Sequence, residues 1–166
     1  TKSEPLDELL GGWRPGEVSL IAGDAGVGKS TFAAFLSLLQ ASEGIPVLFM
    51  SFEVAPTAMV RKWITMLAGN PIEQLERHEY VVARKKLSSR PLYLSDTYGL
   101  VELSDVRRCV YDTCTRHGTK LVVIDHLSHM TSMNGAASNH ASSRVDPLLA
   151  HGNVLRGGRW TLGSTS

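Results

Sequence analysis

Short apolar runs alternate with segments of helical character along most of the chain. Four apolar runs have the length of strands: residues 18–22, 47–52, 92–95 and 121–125. Four helical segments separate or follow them: residues 30–39, 57–67, 72–87 and 102–117. This alternation is typical of parallel strands joined by right-handed helical crossovers. The pattern therefore predicts an α/β fold with a mainly parallel sheet and helices on both faces.

The last part of the chain breaks this pattern. Residues 132–166 are rich in Gly, Ser, Asn and His, contain no Lys, and include a single acidic residue, Asp146. We predict a domain core over residues 1–131 and an irregular low-complexity tail over residues 132–166. A small hairpin over residues 153–162, turning at Gly157-Gly158, is an alternative for part of the tail. A shifted reading frame would also produce such a segment.

One glycine-rich run carries the strongest chemical signal. It reads Gly23-Asp24-Ala25-Gly26-Val27-Gly28-Lys29-Ser30, with Thr31 next, and matches the phosphate-binding pattern G-x-x-x-x-G-K-[ST]. Its backbone N–H groups can surround phosphate oxygens, and the following helix adds the positive end of its dipole. Lys29 is expected to reach the β- and γ-phosphates, and the Ser30 hydroxyl to bind Mg²⁺. A glycine-rich surface turn is the alternative, but the flanking apolar run and helix favour phosphate binding.

Two acidic residues follow apolar runs at their carboxyl ends. Ligands of open α/β sheets bind at that edge of the sheet. Asp125 closes the run LVVID, where a carboxylate is expected to hold Mg²⁺ directly or through water. Glu53 follows LFMSF and is expected to orient the water that attacks the γ-phosphate, as a catalytic residue beside Lys29. Helix caps or loop acids are the alternative interpretation of both residues.

Composition excludes several other classes. With 166 residues, 43% hydrophobic and 20% charged, the chain suits one globular domain with a real core. No run approaches the roughly 18 apolar residues that span a membrane, so we expect no membrane partner. The net charge of +1 gives no global attraction to nucleic acid. Cys109 and Cys114 are expected to be reduced, and a metal site with His117 would lack closely spaced ligands.

The motifs together resemble one family. The stretch LDELLGGWRPGEVSLIAGDAGVGKSTFA, then LFMSFE, then LVVIDHLSHM, resembles the RecA-fold motor of hexameric replicative DNA helicases. The likeness is to bacteriophage primase–helicases and the mitochondrial helicase Twinkle, and more distantly to DnaB. It covers about residues 5 to 131 and stops there, so the resemblance implies a RecA-like P-loop NTPase core that lacks its last core strand or strands. The beginning of the chain, without an initiating Met, also indicates a piece of a longer protein.

The resemblance implies a specific activity and set of partners. It implies binding and hydrolysis of ATP or another NTP with Mg²⁺, in a hexameric ring that unwinds forked or single-stranded DNA in the 5′-to-3′ direction. The location would be the cytoplasm of a bacterium or phage-infected cell, or the mitochondrion if Twinkle-like. His126, next to Asp125, could by analogy sense the γ-phosphate or be an ordinary polar loop residue.

Two other functions remain open at the level of sequence. A RecA-, RadA- or KaiC-like ATPase shares the phosphate loop and its lead-in, and a nonproductive nucleotide-binding remnant would explain the unfamiliar tail. Two basic clusters offer DNA contacts, although solvated helix faces are the commoner explanation: Arg84-Lys85-Lys86 with Arg90, and Arg107-Arg108. Trp13 and Trp63 are expected to be packing residues.

Overall fold

The computed structural model describes residue 1 and residues 3–131, 154–156 and 159–160. The strands are β1 (Val47–Ser51), β2 (Leu92–Ser95), β3 (Val101–Glu102), β4 (Leu121–Asp125), β5 (Met130–Thr131), β6 (Val154–Arg156) and β7 (Arg159–Trp160). The α-helices are α1 (Glu4–Leu10), α2 (Lys29–Ser42), α3 (Pro56–Ala68), α4 (Arg77–Ser88) and α5 (Leu103–His117). Short 3-10 helices cover Ile72–Gln74 and Leu127–His129. The predicted α/β class is confirmed.

The main sheet has the order β4-β1-β2-β6-β7. Its first three strands are parallel, with Val47 beside both Leu92 and Leu121, and with Ser51 beside Asp125 at the carboxyl ends. β6 pairs with β2 in parallel, and β7 pairs with β6 in antiparallel. The pairing of these two strands agrees with the hairpin alternative, whereas residues 132–153, 157–158 and 161–166 of the predicted tail lie outside the described residues. A second, two-stranded sheet joins β3 and β5.

The core lies on both faces of β1. All five of its residues are buried, because strands pair with both of its edges and apolar side chains cover both faces. On one face Phe49 meets Trp63 of α3 edge to face, with ring centroids 5.4 Å apart. Trp63 Nε1 also donates to the backbone oxygen of Ala34 in α2 at 3.0 Å. This bond ties the helix that follows the glycine-rich run to the buried sheet, and the predicted packing role of Trp63 is confirmed.

The predicted strand over residues 18–22, which we call the lead-in segment, is wrong for the described structure. It has extended sequence character but no strand, and Val18 and Leu20 are 96% and 76% exposed. A strand needs a neighbour to satisfy its backbone N–H and C=O groups. None of the described strands pairs with the lead-in segment, so it has no ladder in the described part of the chain.

The predicted helix over residues 72–87 is divided in the structure. A 3-10 helix covers Ile72–Gln74, and α4 begins only at Arg77. The division lies at Glu76, whose backbone N–H donates to Glu79 Oε2 at 2.9 Å. This bond satisfies one of the free N–H groups at the start of α4, so a new helix begins there. The other predicted helices agree with α2, α3 and α5 to within a few residues.

Candidate nucleotide-binding site

The glycine-rich run forms an exposed loop that leads directly into α2. Gly26 and Gly28 have φ values of 79° and 93°, a region that side chains other than glycine rarely adopt. Gly28 is the N-cap of α2, so the free N–H groups of the first helical turn lie at the loop. The loop and the helix start have the local form that the motif predicts, and the residues of the motif are mostly exposed. The site therefore offers an accessible helix N-terminus for an anion.

The Lys29 side chain folds back over its own loop. Its Nζ donates to the backbone oxygens of Gly23 at 2.8 Å and of Asp24 at 2.6 Å. The ammonium group therefore lies over the loop, between its first residues and the start of α2. The group is a cation on the loop where the motif predicts the β- and γ-phosphates.

The structure brings the two predicted Mg²⁺ ligands together across 95 positions of sequence. Ser30 Oγ donates to Asp125 Oδ1 at 3.0 Å. Asp125 is 7% exposed, and its Oδ2 is buried without a hydrogen-bond partner among the described residues. A buried carboxylate oxygen without a partner is costly unless a donor or cation reaches it. Mg²⁺ is usually held by one or two carboxylates together with phosphate oxygens, so this pair of ligands fits the ion.

Glu53 lies beside this pair at the end of β1. Ser51 is opposite Asp125 in the register, and the backbone N–H of Phe52 donates to the Asp125 backbone oxygen at 2.7 Å. The Ser51 hydroxyl closes a tight turn by donating to Val54 O at 2.8 Å. Glu53 leaves the strand inside this turn, and its side chain is exposed. The Glu53 carboxylate is therefore exposed at the carboxyl edge of the sheet, next to the strand end that carries Asp125.

Two histidines complete this edge of the sheet. His126 Nε2 lies 3.0 Å from Glu53 Oε2, and the His126 and His129 rings pack edge to face with centroids 4.7 Å apart. His129 Nδ1 lies 3.2 Å from the Phe52 backbone oxygen. The sequence indicated His126 as a candidate only by analogy and did not single out a role for His129. Their contacts depend on how β1 and β4 align, which no local pattern reveals.

Sequence reasoning also missed Lys62. This residue lies on α3, and its Nζ donates to Thr31 Oγ1 at 3.2 Å, on the first turn of α2. The contact brings a second ammonium group to the phosphate loop. Lys62 is in the middle of a predicted helix with ordinary charge spacing, so no sequence signal separates it from neighbouring Arg61, which pairs with Glu73 at 2.6 Å.

The basic clusters and the cysteines take no part in the contacts described above. Arg84, Lys85 and Lys86 belong to α4, and Arg108 of α5 pairs with Asp105 at 2.5 Å while remaining 73% exposed.

Burial raises the pKa of the Cys109 thiol. In the described part of the chain, neither cysteine is in a disulfide, no group of three His, Cys, Asp or Glu residues is close enough to hold a metal, and no helix is long and apolar enough to cross a bilayer.

An α/β sheet with this loop at the start of a helix, and an aspartate at the end of a central strand, is the arrangement of P-loop nucleotide-binding domains. A family model described as the DnaB-like helicase C terminal domain matches residues 1–148, and the chain belongs to this family, whose fold is RecA-like. The predicted family resemblance is thereby confirmed on its DnaB side.

Individual relatives agree with the family match. The chain is 27% identical to the replicative DNA helicase DnaB of Leifsonia xyli subsp. xyli in an alignment of 158 positions that covers 87% of this chain and 34% of that protein. It is 25% identical to DnaB of Mycoplasma genitalium over 91% of this chain and 34% of that protein. It is 27% identical to DnaB of Rhodothermus marinus over 75% of this chain and 14% of that protein. The chain thus spans about a third or less of these relatives.

Proposed function

We propose that this chain is the nucleotide-binding and hydrolysing core of a ring-shaped replicative DNA helicase. The observation that carries the proposal is the contact of Ser30 Oγ with Asp125 Oδ1, beside the buried Oδ2, which has no hydrogen-bond partner among the described residues. Helicases of the DnaB family use a nucleoside triphosphate and Mg²⁺. The finer assignment for this chain is ATP or another NTP with Mg²⁺, in the cytoplasm of a bacterium or phage-infected cell.

Each site residue has a distinct role in this proposal. The phosphates are surrounded by the residues of the phosphate loop, which are Gly23, Asp24, Ala25, Gly26, Val27, Gly28, Lys29, Ser30 and Thr31. Ser30 and Asp125 would hold Mg²⁺, which would supply positive charge against the negative charge of the phosphates. Lys29 leaves the loop carbonyls for the phosphates, and Glu53 orients the attacking water.

The binding step is tested with Lys29→Ala and Asp125→Asn. A charge-assisted contact contributes about 1.5–3 kcal/mol, so Lys29→Ala should weaken binding of a fluorescent ATP analogue about 10- to 150-fold. Asp125→Asn should weaken binding only when Mg²⁺ is present, because it removes the charge opposing the metal. Lys85→Ala on α4 is the matched control. Equal dissociation constants for Lys29→Ala and the unaltered chain would contradict the phosphate-loop assignment.

The DNA partner and the ring belong to the same proposal. The relatives are named as replicative DNA helicases, which favours single-stranded or forked DNA as the partner and a homohexamer in the full-length context. They do not favour the RecA-, RadA- or KaiC-like alternative. Electron microscopy with nucleotide and forked DNA separates the classes. A six-fold ring would support the helicase, and a filament would support a recombinase. The absence of both assemblies would support a nonproductive remnant.

A further inference from the structure

The side chain of Glu53 is exposed, yet it has a defined neighbour. Its Oε2 lies 3.0 Å from His126 Nε2. A glutamate on a surface turn has several rotamers of similar energy, and only some of them would direct a carboxylate oxygen at a water molecule. A fixed hydrogen-bond donor at one oxygen selects among these rotamers and leaves the other oxygen for the water.

The position of His126 is supported by its chain neighbour Asp125 and by the ring of His129. It directly follows Asp125, whose backbone oxygen accepts from the N–H of Phe52 at 2.7 Å. Its ring packs edge to face against His129, and His129 Nδ1 lies 3.2 Å from the Phe52 backbone oxygen. The ends of β1 and β4 are thus joined through backbone and side chains around the Glu53–His126 pair. This arrangement supports one orientation of the ring.

We propose that His126 is a positioning residue for Glu53. Its Nε2–H donates to Glu53 Oε2, so that Oε1 is free to accept a proton from the attacking water. The donor is present both in the neutral Nε2–H tautomer and in the imidazolium, so the role requires no change of charge. Holding a reacting group in one geometry raises the rate of the chemical step without changing substrate affinity. The inference rests on the proposed function, because it assigns Glu53 a water.

The test compares three substitutions of His126 and a matched control. The amide nitrogen of Gln can reach the place of Nε2, whereas the shorter Asn can reach only the place of Nδ1. His126→Asn should lower kcat about 10-fold with KM and the nucleotide Kd unchanged, and His126→Gln should stay within about 3-fold of the unaltered chain. His126→Leu should resemble Asn. The control is His78→Asn, because His78 Nδ1 makes a similar exposed contact of 3.2 Å with Glu76, the residue before α4.

A second readout requires no turnover. The carboxyl carbon resonance of Glu53, assigned by its loss in Glu53→Gln, should shift in His126→Asn and remain in place in His126→Gln and His78→Asn. An unchanged resonance in His126→Asn would overturn the proposal even if the chain hydrolysed no nucleotide. A raised Kd with normal kcat would overturn it as well, because His126 would then contact nucleotide.

A double variant separates this inference from the proposed function. If His126 acts through Glu53, then Glu53→Gln combined with His126→Asn should turn over no more slowly than Glu53→Gln alone. Multiplying losses would overturn the positioning role. If Glu53→Gln alone keeps the normal rate while Lys29→Ala still loses nucleotide, then the role of Glu53 fails and nucleotide binding stands.

Discussion

β1 and the lead-in segment are both five-residue apolar runs, and each ends at a part of the site. β1 precedes Glu53, and the lead-in segment, residues 18–22, precedes the phosphate loop. Every residue of β1 is buried, whereas Val18 and Leu20 are almost fully exposed. Composition is therefore a poor guide to which run becomes a strand.

The difference between the two runs is in their neighbours. β1 lies between β4 and β2 and is covered on both faces, so its backbone groups are paired and its side chains leave water. β4 is intermediate: it pairs with β1, and its first four residues are half-buried. The lead-in segment pairs with no described strand. Among these three segments, the side chains are more buried where more of the strand edges are paired.

The largest expected effect tests this difference directly. Phe49→Ala should destabilise the chain by about 3–5 kcal/mol, because it leaves a cavity beside Trp63 in the centre of the sheet. Leu20→Ala should change stability by no more than about 0.5 kcal/mol, because the side chain is already in water. Urea unfolding of both variants is the measurement. Comparable losses would show that the lead-in segment is packed in solution.

Bound nucleotide should reduce the difference in hydrogen-exchange protection between β1 and the phosphate loop that follows the lead-in segment. At a concentration of about 100 times Kd, a ligand of the folded state adds about 2.7 kcal/mol of stability. Hydrogen exchange with ATP and Mg²⁺ should show new protection at residues 23–31 and only the global gain at β1. Omitting Mg²⁺ should weaken the protection, since Ser30 and Asp125 would lack the ion. New protection confined to β1 would contradict a site on the phosphate loop.

A smaller effect is expected where α2 is attached to the sheet. Trp63→Phe keeps an aromatic ring but removes the donor to Ala34 O, a hydrogen bond whose loss costs about 0.5–1.5 kcal/mol. Because α2 carries the phosphate loop, nucleotide affinity should fall together with stability. Thermal unfolding and nucleotide titration measure the two effects. Normal affinity in a clearly destabilised variant would show that the loop is positioned independently of β1.

The smallest effect concerns the opposite face of the sheet and pH. His117 stacks on Tyr93 of β2 with ring centroids 4.3 Å apart. Burial, aided by the charge of Arg116, lowers the pKa of His117. The unfolded chain therefore binds a proton more readily, so this contribution to stability is complete above the unfolded pKa of about 6.5 and is lost as pH falls below it.

Replacing this ring should remove that dependence. His117→Asn should flatten the decline of Tm between about pH 7 and pH 5. An unchanged slope in His117→Asn would show that another group causes the decline.

The parts of the site that sequence predicts are those specified locally. The glycine pattern fixes the turn into α2, and a polar residue closing an apolar run identifies Asp125. Their contact through Ser30 follows because the motif and the strand end meet at one edge of a parallel sheet. The contacts of His126 with Glu53 and of Lys62 with Thr31 were not predictable, because they depend on strand register and helix packing. The predicted strand at the lead-in segment was wrong for the same reason: its neighbour is not encoded within it.

The two carbonyl contacts of Lys29 have a consequence for the energetics of binding. The ammonium group already donates hydrogen bonds to Gly23 O and Asp24 O, so a phosphate must replace these two acceptors in order to bind it. Measured affinity then reports an exchange of neutral acceptors for anionic ones. The same two bonds stabilise the loop, so removing the amine also removes two hydrogen bonds within it. A longer or shorter side chain there would disturb both ends of this exchange, and substitution by Arg should not be conservative.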